Sequence, residues 1–387
     1  MILSPRALRK RIRTRLRRHA DEVRRVSKEI HDYPELGYQE YRASQLLTHA
    51  LARHGFQTEL GIAGMATAFL ARREGRNGGA TVAVLAEYDA LPDIGHGCGH
   101  NFIAAAALGC AIAMVPVLQE INGTLVVFGC PAEEGNVPGA GGKVRLLNAG
   151  YFAEVRSAMM IHPASCSGVG GKTSARAALR VGFLGPELYV KDSAFRGPGT
   201  VEALVLAYSG WSRISELLDG HARVHGIISE GGKTPAVIPG YTEARIYVRA
   251  DTLEYLDNAV HLVRDYAEGA AKNSGCGVIV EETAHRYEPM STHPRLAQVM
   301  ASAMDYVGVE VDKRGGENMG STDMGNVSRV VPAVHGYIKI GDVSPHTSEF
   351  GRCTLTREGQ RALLLASEIL ALCATEEFLY YDSVMGV

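Results

Sequence analysis

The sequence predicts an α/β protein interrupted by a smaller α+β unit, and three observations predict it. Short, continuously apolar runs alternate with helical stretches before residue 172. A strand-rich pattern with two long helices follows, and the α/β alternation then resumes to the end. With 387 residues and 46% hydrophobic positions, the chain is long for a single core and rich enough to bury two. The expected division is one discontinuous domain, 1–172 with 287–387, and an inserted domain, 173–286.

The start is crowded with Arg9, Lys10, Arg11, Arg13, Arg15, Arg17, Arg18, Arg24 and Arg25. Leu8, Ile12, Leu16 and Val23 recur at roughly helical spacing, which reads as a plain solvated helix. His31-Asp-Tyr-Pro34 breaks that pattern, because the residue before proline avoids the α region. Tyr38–His54 reads as a second helix. Thr81–Ala86 is a continuously apolar strand with Asp89 just beyond its end.

Residues 101–117 form an alanine-rich helix, so Cys98 and His100 lie in the loop that feeds its N-terminus. Strand Gly123–Gly129 then delivers Glu133 and Glu134, and strand Ala158–Ile161 delivers His162. Polar groups thus gather where strands end, the place where an α/β sheet builds a site. Gly139–Gly142 lacks the spacing of a phosphate-cradling loop and reads as a flexible turn.

In the insertion, strands Arg180–Leu184, Val224–Ile228, Glu243–Val248 and Gly277–Glu281 alternate with helices Thr200–Leu218 and Leu253–Ser274, a βαββαβ unit. Helix 294–307, the loop Gly315–Gly325, strand Ala333–Ile340 and a helix from Glu358 to about Ala374 complete the chain.

Composition narrows the function. A formal net charge of −2 creates no field that would gather nucleic acid or an anionic membrane, so small molecules are the expected partners. Seven cysteines are an odd number and no disulfide scaffold; Cys110, Cys130, Cys276 and Cys373 read as buried structural thiols in a reducing compartment. No h-region of a secretory signal is seen, and no apolar run approaches the roughly 20 residues of a membrane span. A soluble cytoplasmic protein is expected.

The chemistry-bearing residues are Gly95-His-Gly-Cys98-Gly-His100-Asn101 and Pro131-Ala-Glu133-Glu134. A thiol, an imidazole and paired carboxylates set in glycine read as a metal site for two-metal hydrolysis, with a carboxylate to shuttle the proton. Adjacent side chains on a strand point to opposite faces, so both glutamates serve one site only if the strand ends before them. His162 and His346, each just past a strand, are further candidates. No Gly-x-Ser-x-Gly elbow offers a serine nucleophile.

These segments, with His31-x-x-Pro-Glu35, Glu87-Tyr-Asp-Ala-Leu-Pro92, His162-Pro163, Ser321-Thr-Asp-Met-Gly-Asn-Val-Ser328 and His346-Thr347, make the chain resemble the M20 metallopeptidases and amidohydrolases. The resemblance is to the subgroup whose metal loop carries Cys, with aminoacylase-like and aminobenzoyl-glutamate hydrolase-like members. It implies a three-layer, zinc-exopeptidase-like α/β domain and a ferredoxin-like lid through which two subunits form a homodimer. It further implies two divalent ions per subunit bridged by Cys98, with His100, Glu134, His162 and His346 as the other ligands. Zn or Mn is expected first, while Co or Ni would suit the same donors. Glu133 would be the general base and Asp89 the group that orients a ligand.

The lid departs from the family pattern. Where members carry a histidine that reaches the substrate, this chain reads Tyr189-Val-Lys-Asp-Ser-Ala-Phe-Arg-Gly-Pro-Gly199, and Ala236 stands where an asparagine is usual. Arg196, His225 and Arg249 are candidates to hold substrate instead. The expected reaction is hydrolysis of a C–N bond in a small molecule, such as the amide of an N-acyl amino acid, aryl-amino acid conjugate or dipeptide. The alternatives are hydrolytic deamination of an activated aromatic amine and a non-catalytic metal- or metabolite-binding role.

Overall fold

The computed structural model describes residues 4–189, 199–312 and 320–385. The chain forms two compact units, one of Thr173–Pro289 with Gly320–Thr322 and one of the remaining chain.

The larger unit opens with α1 (Pro5–Arg18) and α2 (Ala20–Asp32), separated at His19. Ser4 caps α1 by accepting a hydrogen bond from Ala7 N, and Pro5 occupies the first turn, where its missing N–H is no loss. The helix is not simply solvated, as the sequence had led us to expect. Leu8, Ile12 and Leu16 are all buried, because positions four apart share one face and that face packs against the core. Its arginines lie on the other side, where Arg9 and Arg13 pair with Glu376 and Glu368 and stack over Tyr306.

Next come α3 (Tyr41–Arg53), the antiparallel pair β1 (Gln57–Leu60) and β2 (Phe69–Glu74), β3 (Thr81–Glu87), α4 (His100–Leu118), β4 (Thr124–Cys130), α5 (Gly142–Asn148), β5 (Val155–Ala164) and β6 (Gly168–Val169). The sequence pattern did not reveal β1 and β2 because both are short and the first is exposed along its whole length. Gly139–Gly142 does follow a strand, and it leads into α5 instead of ending in a free turn.

The smaller unit comprises β7 (Ala175–Leu184), β8 (Leu188–Tyr189), α6 (Thr200–Trp211), α7 (Ile214–Leu217), β9 (Ala222–Glu230), β10 (Val237–Ile238), β11 (Tyr241–Ala250), α8 (Leu253–Ser274) and β12 (Gly277–Glu282). Its four-stranded antiparallel sheet has the order β12-β7-β11-β9. Leu179, Val181, Ile246 and Val248 face Leu204, Ala207, Trp211, Leu256 and Val263 of the helices in one apolar cluster. The single helix expected over Thr200–Leu218 is two, α6 and α7.

Returning to the larger unit, α9 (Pro294–Val307), α10 (Met324–Val330), β13 (Ala333–Lys339), α11 (Ser348–Cys353) and α12 (Arg357–Met385) complete the chain. The last helix runs 29 residues, well past Ala374. The seven-stranded sheet has the order β1-β2-β4-β3-β5-β13-β6, with β4, β3, β5 and β13 parallel. Val82 and Val84 of β3 point into one apolar cluster, whereas Ala83 and Leu85 point into another on the opposite face. A strand covered on both sides needs an unbroken apolar run, which is what β3 has.

One helix overturns a sequence expectation. α4 is long and apolar enough, by length and composition, to cross a membrane. It is buried nearly all round, from His100 to Leu118, among the sheet and the helices α1, α2 and α12, and a central core helix needs no polar face. All seven cysteines are free; Cys110, Cys130 and Cys373 are buried, whereas Cys276 is only partly so.

Replacing Ile12 by Ala should destabilise the larger unit by roughly 2–4 kcal/mol, as loss of a buried branched side chain does. Arg17→Ala on the exposed side should change stability by less than about 0.5 kcal/mol. Urea unfolding followed by circular dichroism checks both; equal effects would mean that α1 is not docked.

Candidate metal centre

Three parallel strands end where the chemistry gathers. β3 stops at Glu87, and Asp89 lies two residues on, fully buried. Gly99 caps α4 in the left-handed region with φ 80°, and a Cβ there would lie 2.6 Å from Pro163 Cγ. Only glycine fits both constraints, so Cys98 and His100 are held close under the end of β5.

The paired glutamates depend on a kink at Ala132, whose φ is 54° although it is not glycine. Ala132 N donates to Glu40 Oε1 at 2.9 Å, and Ala132 O accepts from Gly141 N at 2.9 Å. The chain therefore turns one residue before Glu133, and both carboxylates reach the same cluster. Glu40 is buried, and burial, with Asp89 nearby, pushes its carboxyl up to about 7.

The predicted ligands converge. Cys98, His100 and His162 form one grouping, and Cys98, Glu134 and His346 another, each with ligand atoms within 4.8 Å of one another. Cys98 belongs to both. Its Sγ lies 3.5 Å from His162 Nε2, while His162 Nδ1 donates to Pro163 O at 2.6 Å and so leaves Nε2 as the free donor. His100 Nδ1 donates to Asp89 Oδ1 at 2.8 Å, and Asp89 Oδ2 accepts from Glu134 N at 3.0 Å. One carboxylate thus orients two of the candidate ligands. His346 sits in a left-handed turn with φ 65°. Its backbone N donates to Gly97 O at 2.8 Å, and its Nε2 is 3.9 Å from Glu134 Oε2.

Electrostatics show what this pocket is built to receive. Burial pushes Glu134 up to about 8, against the pull of His100 and with the help of Glu133, and burial with Glu87 pushes Glu133 up to about 6. Burial and Glu134 likewise raise the Cys98 thiol. Burial, reinforced by His100, lowers His162 to about 3, so its imidazole is neutral and keeps a lone pair. His100 Nε2 is buried with no hydrogen-bond partner. Acidic groups crowded out of water, beside the neutral imidazole of His162, fit divalent cations as the balancing charge.

Two further features were not legible beforehand. Lys143, at the start of α5, is fully buried; its Nζ donates to Glu87 Oε1 at 2.5 Å and also to Asp323, and its backbone N donates to Asp323 Oδ2 at 2.9 Å. Glu87 Oε2 in turn lies 3.4 Å from His100 Nε2. The position of Glu87 at a strand end was a usable signal; a buried lysine on a short helix gave none.

His19, Glu22 and His54 form a separate grouping, which reads as an ion-pair cluster. Arg15 donates to His54 Nδ1 and Arg53 to Glu22, so cations already occupy it.

The proposed substrate-holding residues belong to the smaller unit. His225 is exposed on β9 opposite Tyr247 of β11, with ring centroids 6.1 Å apart. Arg249 Nη1 donates to Ser321 Oγ at 3.1 Å. Arg196 lies outside the described residues.

Comparison with known proteins agrees with this architecture. The sequence profile of Peptidase family M20/M25/M40 matches residues 61–364. A mouse (Mus musculus) Xaa-Arg dipeptidase is 32% identical, the alignment covering 95% of this chain and 88% of that protein. One of the subunits of the p-aminobenzoyl-glutamate hydrolase of Escherichia coli is 30% identical over 64% of this chain and 54% of its own. Among solved structures, a dinuclear metal-binding peptidase of the M20 family from Bacillus subtilis superposes with a TM-score of 0.69 at 18% identity, covering 94% of this chain and 99% of the other. With the profile spanning most of its length and a relative matched nearly end to end, this chain belongs to peptidase family M20/M25/M40 and is a hydrolase of amide bonds.

Proposed function

We propose that the protein hydrolyses the amide bond of a small N-acyl amino acid, aryl-amino acid conjugate or dipeptide, at a centre that holds two divalent metal ions. The observation that carries this reading is the shared Cys98: two donor groupings meet at one thiol, with the Glu133 carboxyl beside them. Divalent cations held there supply Lewis-acid polarisation of the scissile carbonyl and acidify the attacking water.

The side chains divide the remaining work. Cys98 would hold both ions, with His100, His162, Glu134 and His346 as the other ligands; Zn or Mn would suit this mixture of thiolate, imidazole and carboxylate. Glu133 takes the proton of the attacking water on its carboxylate and returns it to the leaving nitrogen. Asp89 and the carbonyl of Pro163 each accept an imidazole Nδ1–H, which presents Nε2 of His100 and of His162 toward Cys98.

Both relatives have names that describe cleavage at the amide of an amino acid, which supports the substrate class. The face of the smaller unit's sheet opposite its helices carries Arg249 and Tyr247, alternating with the helix-facing Ile246 and Val248, and His225 lies across from them. Such a cationic face suits the carboxylate that an amino-acid product bears. Arg196 is a further proposed contact on sequence grounds alone, and it lies outside the described residues.

A second copy of the chain is the partner we propose for β9. This edge strand exposes Ile227 and Ile228 at 63% and 49%, and α6 exposes Val205 and Leu206 at 52% and 47%. An unpaired strand edge with apolar side chains on both faces invites pairing with another chain.

Glu133→Gln should lower kcat by ~10² to 10⁴ while metal content stays as in the wild type; retained turnover would remove Glu133 as the base. The readout is amine released from acyl conjugates and dipeptides, run beside ammonia released from ring amines. Asp89→Asn should weaken metal binding by about 10- to 100-fold, measured by competition with a chelator. Ile227→Glu should convert a dimer to a monomer in light scattering, and a monomeric wild type would refute the proposed pairing.

A further inference from the structure

We infer that Glu87 is an additional donor of the metal centre, its carboxylate fixed for that task by Lys143 and Asp323. The inference rests on the two-metal reading given above. Its starting point is a buried carboxylate oxygen that faces the ring nitrogen of a candidate metal ligand.

His100 Nδ1 lies 2.8 Å from Asp89 Oδ1, so Nε2 is the nitrogen the ring has left to offer a metal ion. Glu87 Oε2 lies 3.4 Å from that nitrogen, and neither residue reaches water. His100 Nε2 has no hydrogen-bond partner, so the two atoms face each other with the ring nitrogen unengaged. A metal ion is a group that both atoms can hold at once.

The distance agrees with one. Metal–nitrogen and metal–oxygen bonds of about 2.1 Å at a tetrahedral angle set two ligand atoms about 3.4 Å apart. The Cys98 Sγ to His162 Nε2 separation of 3.5 Å is of the same kind. Glu87, His100 and Glu133 also form a fully buried grouping of three, with ligand atoms within 4.8 Å of one another.

The surroundings explain how a carboxylate is accommodated there without water. The other oxygen of Glu87 accepts from Lys143 Nζ at 2.5 Å, and Lys143 is anchored twice on Asp323, through its side chain and its backbone N. Gly142 makes this approach possible, since a Cβ there would lie 2.2 Å from Pro131 O. One lysine against two carboxylates leaves one negative charge over, in a core where an uncompensated charge is costly. Glu87 presents that surplus charge toward His100.

The test uses the full-length protein and Co²⁺ as both ligand and probe. The wild type should take up two ions. Glu87→Gln keeps the side-chain volume and leaves Lys143 and Asp323 as a balanced pair, so the fold should survive. It should bind one of the two ions at least ~10- to 100-fold more weakly, with a changed visible absorption of bound Co²⁺ and an unchanged affinity for the other. Two ions bound at wild-type affinity with an unaltered spectrum would overturn the inference and leave the two-metal reading intact. Fewer than two ions on the wild type would overturn both. Should Glu87→Gln not fold, Glu87→Asp keeps the charge and withdraws the carboxylate by one methylene: a weakened second ion supports the role, and unchanged binding overturns it.

Discussion

The structure is organised around carboxylates that have been taken out of water. Glu40, Glu87, Asp89, Glu133 and Asp323 are all buried in the larger unit, with Glu134 half-buried beside them, and Lys143 is the one buried lysine among the described residues. Such a concentration of acidic groups tolerates few arrangements: each oxygen must meet a donor or a cation, or else hold a proton. Backbone amides answer part of this demand, from Ala132 to Glu40, from Glu134 to Asp89 and from Lys143 to Asp323. Those same bonds fix the loops that carry the site. Metal binding and the local fold are therefore two answers to one electrostatic problem.

Close backbone approach is the second device. Gly99 and Gly142 sit where any side chain would strike Pro163 or Pro131, and Ala132 accepts a left-handed φ that a non-glycine residue resists. Each position brings a donor within reach of a neighbour from a different strand. The strained residue stays in place because Glu40 and Gly141 bond it from both sides, so rigidity at the site comes from contacts made by elements far from it in sequence.

Much of this was legible in the sequence. The strands expected to end at Ala86, Gly129 and Ile161, the helix expected from Asn101 and the βαββαβ pattern of the smaller unit all follow from apolar runs and their period. The structure carries the third strand on to Ala164, with His162 inside it, and starts the helix at His100. Cys98, His100 and the glutamate pair stood out because glycine-flanked polar residues have no packing role. The burial of α1 was misjudged for an instructive reason: the apolar stripe Leu8, Ile12 and Leu16 was visible, but the arginines between its members outweighed it. Whether an amphipathic helix finds a partner depends on what lies opposite, and here that is α4 and α12.

By itself, then, the sequence determined the kind of chemistry, since residue types set what can bind a cation and move a proton. It also determined the order of the longer strands and helices, since both periodicities are local, but not the short β1 and β2. Only the tertiary structure decided which groups meet. Lys143 and Asp323 are 180 positions apart and Ala132 and Glu40 are 92 apart, and no local pattern records such pairs. They exist because a sheet covered on both faces draws loops from distant segments to one edge. The charges collected there must then be neutralised where they lie.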